Sequence, residues 1–178
     1  MVTIVLTYRN RDSAIVKKCL VSLGEQSNRD FKVILVDYGS TKDFSEKLNS
    51  LCNGYPFIQL IQCPVQGQLW NKSRAINIAI KQCKTDYVLV SDIDMIFSPN
   101  FMAKADALKS ENTATYFQVG YLPEGESIQN KEFSNYKIKH KSTVAATGIT
   151  LFSMSKLLDI RGYDEFYHGW GSEDTDVH

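Results

Sequence analysis

The sequence predicts an α/β domain in which a mostly parallel sheet is flanked by helices. Short apolar runs rich in β-branched residues recur through roughly the first ninety residues. Each run is followed by a stretch whose apolar residues have helical spacing, which is the alternation typical of βα units. Because both faces of such a sheet are apolar and need covering, parallel strands joined by helical crossovers are expected.

The elements of the first half are predicted in a regular order. The expected strands are 2–7, 31–36, 57–62 and 86–91. Asp12 is expected to cap the first helix, which ends at Gly24. A capping box at 43–46 predicts the start of the second helix, and the spacing from Leu69 to Cys83 predicts a third.

After residue 97 the alternation is lost. Ser98 and Pro99 are expected to start a helix that runs to Lys109. The remaining predictions are strands at 113–121 and 143–152, an irregular segment at 124–141 and a short helix at 155–161. The irregular segment is most simply a solvated loop, and the alternative is a loop that touches an anionic acceptor or a membrane surface. Its lysines are Lys131, Lys137, Lys139 and Lys141.

Composition narrows the class of protein. With 43% hydrophobic and 22% charged residues the chain is expected to fold, and twenty basic residues balance twenty acidic ones, which disfavours a nucleic-acid partner. Its apolar runs are too short for a membrane span. Four cysteines without C-x-x-C spacing and a start without a leader pattern predict free thiols and a cytoplasmic protein, either free or peripheral at the inner face of the membrane.

Polar clusters follow the predicted strands, where an open α/β sheet binds its ligand. They are 7–11, 37–41, 66–74 and 91–94. Asp92 and Asp94 place two carboxylates at one strand end, and hard oxygen donors of this kind suit Mg²⁺ or Mn²⁺. The alternative is a simple turn, since Asp is a common turn residue.

Two further groups in these clusters suit a nucleotide. Arg9 and Arg11 could hold a diphosphate, because a guanidinium binds phosphate oxygens in a fixed fork, or they could be solvated loop arginines. Asp37 could accept a hydrogen bond from a base or a ribose hydroxyl, or it could start the turn before Gly39. The residues leave both alternatives open.

The last cluster, 169–176, combines an aromatic side chain with carboxylates. Ser172 is a plausible N-cap, and Glu173 and Asp174 would then suit a first helical turn. That explanation leaves Trp170 between two glycines unexplained, and an indole beside carboxylates suits a sugar. No G-x-x-x-x-G-K-[ST], G-x-G-x-x-G or H-E-x-x-H pattern occurs in the corresponding places.

In combination and order, these motifs resemble inverting glycosyltransferases of the GT-A fold. The first half is similar to the family-2 type, and the chain from Gln68 onward is similar to the β-1,4-galactosyltransferase and chondroitin-polymerase type. The matching segments are 8–11, 36–41, 70–77, 91–96, 147–150 and 162–174. Tyr38, Lys72 and Ser172 depart from the usual Asp, Arg and Gly of these motifs.

The resemblance implies a single GT-A domain, 1–178, with a nucleotide-binding half at 1–97 and an acceptor and catalytic half at 98–178 that is expected to be incomplete at its C-terminus. It implies a UDP-sugar donor, a glycan acceptor and a Mn²⁺ or Mg²⁺ ion, in the synthesis of a surface polysaccharide. The implied donor-binding residues are Thr7, Tyr8, Arg9, Arg11, Asp37, Lys72, Arg74, Asp92 and Gly148.

The same resemblance implies the remaining roles. Asp94, with Asp92, would bind the metal, and the third ligand would be His178 or a residue beyond the end of the chain. The catalytic residues would be Asp174, as the general base, and Glu173, as a hydrogen-bonding partner of the acceptor or sugar. The acceptor and sugar site would comprise Trp170, Gly171 and Glu173.

Two other classes remain as alternatives. A sugar-nucleotide nucleotidyltransferase would need a glycine-rich loop after the first strand, and residues 7–12 contain no glycine. A non-catalytic module that binds nucleotide or carbohydrate would lack turnover. Transfer or hydrolysis of a donor would distinguish the enzyme from this module.

Overall fold

The computed structural model describes residues 1–126, 131–143, 148–169 and 176. The strands are β1 (Val2–Tyr8), β2 (Phe31–Tyr38), β3 (Ile58–Cys63), β4 (Tyr87–Asp92), β5 (Thr115–Tyr116), β6 (Gly120–Tyr121), β7 (His140–Lys141) and β8 (Ile149–Ser153). The helices are α1 (Ser13–Gly24), α2 (Lys42–Cys52), α3 (Lys72–Ile80), α4 (Phe101–Ala107) and α5 (Met154–Asp159), with a 3₁₀ turn at Phe133–Asn135.

A six-stranded sheet in the order β3-β2-β1-β4-β8-β5 organises the fold. The first four strands of this order are parallel, whereas β8 runs antiparallel to both β4 and β5. The predicted mostly parallel sheet is therefore confirmed. Because β8 and β5 join the same sheet, both predicted halves share one framework, and their division at residue 97 stays a prediction.

Hydrophobic packing covers both faces of the sheet. Alternate side chains of a strand point to opposite faces, so Ile4 and Leu6 of β1 pack on the side of Leu20 from α1, whereas Val5 packs with Ile76 from α3. All five side chains are fully buried. Burial of each apolar side chain of this size contributes about 1.5–3 kcal/mol, which is what holds the helices against the sheet.

Two predicted helix starts in the first half are wrong. Helix α2 begins at Lys42 with Thr41 as its N-cap residue, so the predicted capping box at 43–46 lies inside the first turn. Helix α3 begins at Lys72 rather than near Leu69, because the Asn71 side chain accepts a hydrogen bond from the Arg74 N–H at 2.7 Å and caps the helix there. Leu69 consequently stands 74% exposed outside the helix.

Helix α4 is also shorter than predicted and is capped from a distance. It begins at Phe101, and Asn100 makes no side-chain cap bond. The buried Gln26 replaces that cap, because its Oε1 accepts the Met102 N–H at 2.9 Å while its Nε2 donates to the Ser98 carbonyl at 2.7 Å. A cap supplied from more than seventy residues away cannot be predicted from local sequence.

The predicted strand at 113–121 is split between two sheets. Residues 115–116 pair with β8, whereas 120–121 pair with β7 in a separate two-stranded sheet. The chain turns away between them, where the Val119 N–H donates to Ser142 Oγ at 3.0 Å. The segment predicted as irregular therefore contributes β7.

At the end of the described chain, the predicted strand 143–152 forms β8 at Ile149–Ser153, and residues 144–147 lie outside the described residues. The helix expected at 155–161 is α5. Within the part of the chain that the structure describes, no helix combines the length and apolar character that crossing a membrane requires.

Candidate functional site

The carboxyl ends of β1, β2 and β4 bring the predicted polar clusters to one edge of the sheet. In the strand register Tyr8 lies opposite Asp37, and Thr7 lies opposite Asp92. Parallel pairing makes this juxtaposition unavoidable, because the three strands end together. The predicted meeting of these clusters is therefore present in the structure.

The two carboxylates at the end of β4, Asp92 and Asp94, are each paired with a cation from another segment. Lys72 Nζ, at the start of α3, lies 2.9 Å from Asp92 Oδ1. The Arg11 guanidinium pairs with the Asp94 carboxylate, although the two residues are 83 positions apart in sequence. Because one partner in each pair, Arg11 and Asp92, is more than a third exposed, these ion pairs contribute little to stability. Their main consequence is a mixed-charge site formed by three segments.

Gly148, from the second half of the chain, contacts Asp92 at this site. Its carbonyl accepts the Asp92 N–H at 3.0 Å, and its φ of +75° is in the left-handed region that favours glycine. A Cβ at this position would overlap the Asp92 carboxylate. Glycine therefore allows the backbone of 148 to lie directly against one of the two predicted metal ligands.

The loop after β1 presents its two arginines differently. Arg9 Nη2 donates to the Gln68 carbonyl at 2.8 Å, whereas its buried Nη1 has no hydrogen-bond partner among the described residues. Arg11 is held by its carboxylate partner Asp94. A buried guanidinium N–H without a partner is unusual and is suited to an anionic ligand.

Tyr8 lies beneath this loop rather than at its surface. Its side chain is 2% exposed, and its hydroxyl donates to the Arg11 carbonyl at 3.0 Å. Burial, reinforced by the nearby Asp37 carboxylate, raises the pKa of Tyr8 to about 12, so the hydroxyl stays protonated as a donor. The observed role of Tyr8 is to hold the arginine loop, and its contact with a donor stays a prediction.

Asp37 is buried and forms the turn that follows β2. Its Oδ1 accepts the Ser40 N–H at 3.2 Å, and its Oδ2 accepts the Ser45 hydroxyl at 2.6 Å. Both carboxylate oxygens thus have partners, one in the turn and one in the first half of α2. The turn-forming alternative is observed, and the role of Asp37 in binding a base stays a prediction.

A cavity of about 280 Å³ lies beside the start of α3, and all of its lining residues except His168 belong to the polar clusters predicted at 37–41 and 66–74. Arg74 is the one lining residue predicted to bind the donor. Its hydrogen bonds to Tyr38 and Glu165 raise the pKa of the guanidinium. The lining residues are Tyr38, Gln68, Leu69, Asn71, Arg74 and His168. Of these, Tyr38 carried a signal, because it replaces the usual Asp of its motif.

The described residues fit a divalent cation in part. Asp92 and Asp94 supply hard carboxylate oxygens of the kind that Mn²⁺ and Mg²⁺ bind. No group of three or more His, Cys, Asp or Glu side chains suited to a metal occurs within the described ranges. The remaining predicted site residues lie outside the described residues: Trp170, Gly171, Glu173, Asp174 and His178.

The chain is similar to known glycosyltransferases in sequence. The family model described as "Glycosyl transferase family 2" matches residues 3–158. The human protein named Chondroitin sulfate synthase 3 is 26% identical over 171 residues, which cover 90% of this chain and 19% of that protein. The mouse protein of the same name is 25% identical over 132 residues, covering 70% of this chain and 15% of that protein.

Solved structures show the same fold over almost the whole chain. The mannosyltransferase PcManGT from Pyrobaculum calidifontis, in complex with GDP-Man and Mn²⁺, has a TM-score of 0.71 at 17% identity over 99% of this chain and 50% of that one. GalNAc-T7 with UDP, GalNAc and Mn²⁺ has a TM-score of 0.72 at 14% identity, and the match covers 99% of this chain and 39% of that one. S. aureus TarS 1-349 with UDP has a TM-score of 0.70 at 17% identity, and the match covers 99% of this chain and 53% of that one.

These likenesses confirm the GT-A fold that the motifs implied. The chain spans less than a fifth of the length of the curated relatives and 39–53% of the solved structures named above.

Proposed function

The chain belongs to glycosyl transferase family 2, and from this premise we propose that it is a metal-dependent inverting glycosyltransferase that moves a sugar from a UDP-sugar to a hydroxyl of a glycan. The observation that carries this proposal is the mixed-charge site at the ends of β1 and β4. There Arg11 and Lys72 pair with Asp94 and Asp92. Carboxylates for a cation and cations for a diphosphate at one place are what a nucleotide-sugar donor requires.

The basic side chains would bind the diphosphate. Arg9 has a buried Nη1 without a partner among the described residues, and Arg11 and Lys72 are already held close to the strand ends. Positive groups fixed in advance stabilise the charge that develops on the departing UDP without reorganisation cost. These side chains therefore both bind the donor and favour its cleavage.

Asp94, with Asp92, would hold the divalent cation. Without the cation, Arg11 and Lys72 neutralise the two carboxylates, so the site is charge-balanced before the donor arrives. A bound Mn²⁺ or Mg²⁺ would supply further positive charge to the diphosphate. The complexes of PcManGT and GalNAc-T7 with Mn²⁺ support this assignment.

The acceptor side of the reaction depends on the last part of the sequence. Asp174 would accept the proton of the attacking hydroxyl on the face opposite the leaving UDP, so the configuration at the anomeric carbon inverts. Trp170 would stack on sugar, and Gly171 and Glu173 would complete the acceptor site. The sequence pattern at 169–176 supports these roles.

The choice of donor and acceptor rests on the relatives. TarS in complex with UDP or UDP-GlcNAc and GalNAc-T7 with UDP support a UDP-sugar, whereas PcManGT with GDP-Man is a counterexample within the same fold. Similarity to Chondroitin sulfate synthase 3 supports a polysaccharide acceptor.

A donor screen tests the proposal. UDP-Gal, UDP-GalNAc, UDP-GlcNAc and UDP-Glc are each incubated with the chain and Mn²⁺ or EDTA, with and without oligosaccharide acceptors, and released UDP is measured. We expect release from at least one donor that requires Mn²⁺ and is lost in Asp94→Asn. Asp159→Asn, the same change at an exposed position on α5, serves as the control. UDP binding without turnover of any donor would instead support the non-catalytic module.

A further inference from the structure

Asn77 on α3 is hydrogen-bonded to a segment more than eighty residues away. It is 9% exposed, and its Oδ1 accepts the Tyr163 N–H at 2.9 Å. Its Nδ2 donates to the Tyr163 carbonyl at 2.8 Å and to Glu165 Oε1 at 3.1 Å. The amide thus pairs with the Tyr163 backbone in both directions and leaves neither end of the side chain unsatisfied.

The backbone before Tyr163 is shaped for this approach. Gly162 has a φ of +78°, in the left-handed region that favours glycine. A Cβ at Gly162 would lie 2.5 Å from Asn77 Oδ1, too close for any side chain. Glycine at 162 is therefore needed both for the turn and for the close contact with Asn77.

Three further bonds attach the same segment to the start of α3. Asn71 Nδ2 donates to the Glu165 carbonyl at 2.8 Å, and Arg74 Nε donates to Glu165 Oε2 at 3.0 Å. The Gly169 N–H donates to the Trp70 carbonyl at 2.9 Å. We call the set Asn71, Arg74, Asn77 and Glu165 the α3 clamp.

The α3 clamp connects the two sides of the proposed site through one helix. Lys72, at the first turn of α3, pairs with Asp92 beside the predicted metal site. The clamp fixes residues 163–169 along the same helix, and Asp174 follows five residues later. The helix therefore relates the position of the donor site to that of the chain leading to the predicted base.

We propose that Asn77 and Glu165 are positioning residues, which hold segment 163–169 against α3 and thereby place the predicted base Asp174 relative to the donor. This inference rests on the proposed function. Neither residue touches the reacting atoms in this role. Hydrogen bonds from Asn77 and Arg74 also lower the pKa of Glu165, which keeps it an ionised acceptor for both partners.

The decisive variant is Asn77→Asp. It preserves shape and still accepts the Tyr163 N–H, but it cannot donate to the Tyr163 carbonyl and sets a second carboxylate against Glu165. We expect kcat for transfer to fall about ten- to a hundred-fold, the effect of a small misplacement of a catalytic group. The donor KM and the affinity for UDP stay within about twofold, because the Arg11–Asp94 and Lys72–Asp92 pairs do not include Asn77 or Glu165.

A matched set of variants isolates the clamp. Asn77→Asp combined with Glu165→Gln removes the repulsion and restores a donor, so we expect it to regain part of the lost kcat. Glu165→Gln alone, at a half-exposed position that tolerates the change, lowers kcat less. Asn49→Asp, the same chemical change at an exposed position of α2, leaves both parameters unchanged.

Hydrogen exchange separates this inference from the proposed function. We expect faster exchange within 163–169 in Asn77→Asp, with β1, β2 and β4 unchanged. If the wild-type chain turns over no donor, faster exchange in that segment would still show that the clamp holds 163–169, but the proposed function, and with it the positioning role, would be refuted. Unchanged exchange, unchanged kcat in an active chain, or a rise in donor KM that matches the fall in kcat would each overturn the positioning role.

Discussion

Gly148 combines a left-handed backbone conformation with direct contact to the Asp92 carboxylate of the site. Gly148→Ala would force an L-residue into the left-handed region, at about 1–2 kcal/mol, and would also push the Asp92 carboxylate from its place. We expect loss of stability together with a loss of Mn²⁺-dependent UDP affinity, measured by denaturant unfolding and calorimetry.

Gly125→Ala is the matched control for this prediction. Gly125 has a φ of +74°, but a Cβ there meets nothing within 4 Å. Gly125→Ala should therefore lower the free energy of unfolding without lowering the affinity for UDP. Equal effects of the two variants on UDP affinity would contradict the role given to Gly148.

Asp174→Asn tests the predicted base. Loss of the proton acceptor should lower kcat about 10²–10⁴-fold, the usual contribution of a general base. Binding of the UDP-sugar should be retained, because Asp174 is not one of the predicted donor-binding residues. Steady-state kinetics and calorimetry measure the two effects. Unchanged turnover would refute the assignment.

Glu165 makes stability depend on pH in a defined direction. Its pKa is lowered in the folded chain by Asn77 and Arg74, so its interactions stabilise the fold above its ordinary value of 4.5 and are lost as pH falls through the lowered pKa. We expect the difference in unfolding free energy between wild type and Glu165→Gln to shrink on acidification from pH 6 to pH 3. A difference that grows on acidification would contradict the assignment.

The site residues that lie next to a strand end were predictable from the sequence, whereas those that act across the fold were not. Asp92, Asp94 and Arg11 follow buried strands directly, so their convergence was predictable. Glu165 and Asn77 are recognisable only from contacts 88 residues apart. Local pattern likewise could not reveal that a tyrosine before two arginines is buried.

At the scale of elements, the structure distinguishes caps that sequence alone treats alike. Asp12 Oδ1 accepts the Ala14 N–H at 2.7 Å at the start of α1, whereas Thr41 makes no side-chain bond at the start of α2. Asp12→Ala should therefore lower the free energy of unfolding by about 0.5–2 kcal/mol. Thr41→Ala should have less effect, and chemical denaturation measures both. An equal loss would show that the cap bond of Asp12 contributes nothing.

Elements with strong local signals were predicted well, and those set by tertiary contacts were not. Strands β1 and β2 have continuous β-branched and apolar runs that are typical of a buried strand. The start of α4 depends on Gln26, and the division of 113–121 depends on its two different strand partners. No residue pattern near these two elements indicates the Gln26 cap or the change of strand partner.

At the scale of the whole molecule, the sheet order explains why distant motifs form one site. With β1 between β2 and β4, the loops that follow these strands must meet at the same edge. Strand β8 then brings Gly148 of the second half beside Asp92. The parallel half of this architecture was predictable from alternation, whereas the antiparallel insertion of β8 was not.

Titration calorimetry of UDP into the chain, in Mn²⁺ and in EDTA, tests the central claim of a metal-dependent donor site most directly. UDP should bind at least about tenfold more tightly with Mn²⁺, a difference of about 1.4 kcal/mol, and Asp94→Ala should abolish that gain. Equal affinity with and without Mn²⁺ in the wild-type chain, or a full Mn²⁺ gain in Asp94→Ala, would contradict it.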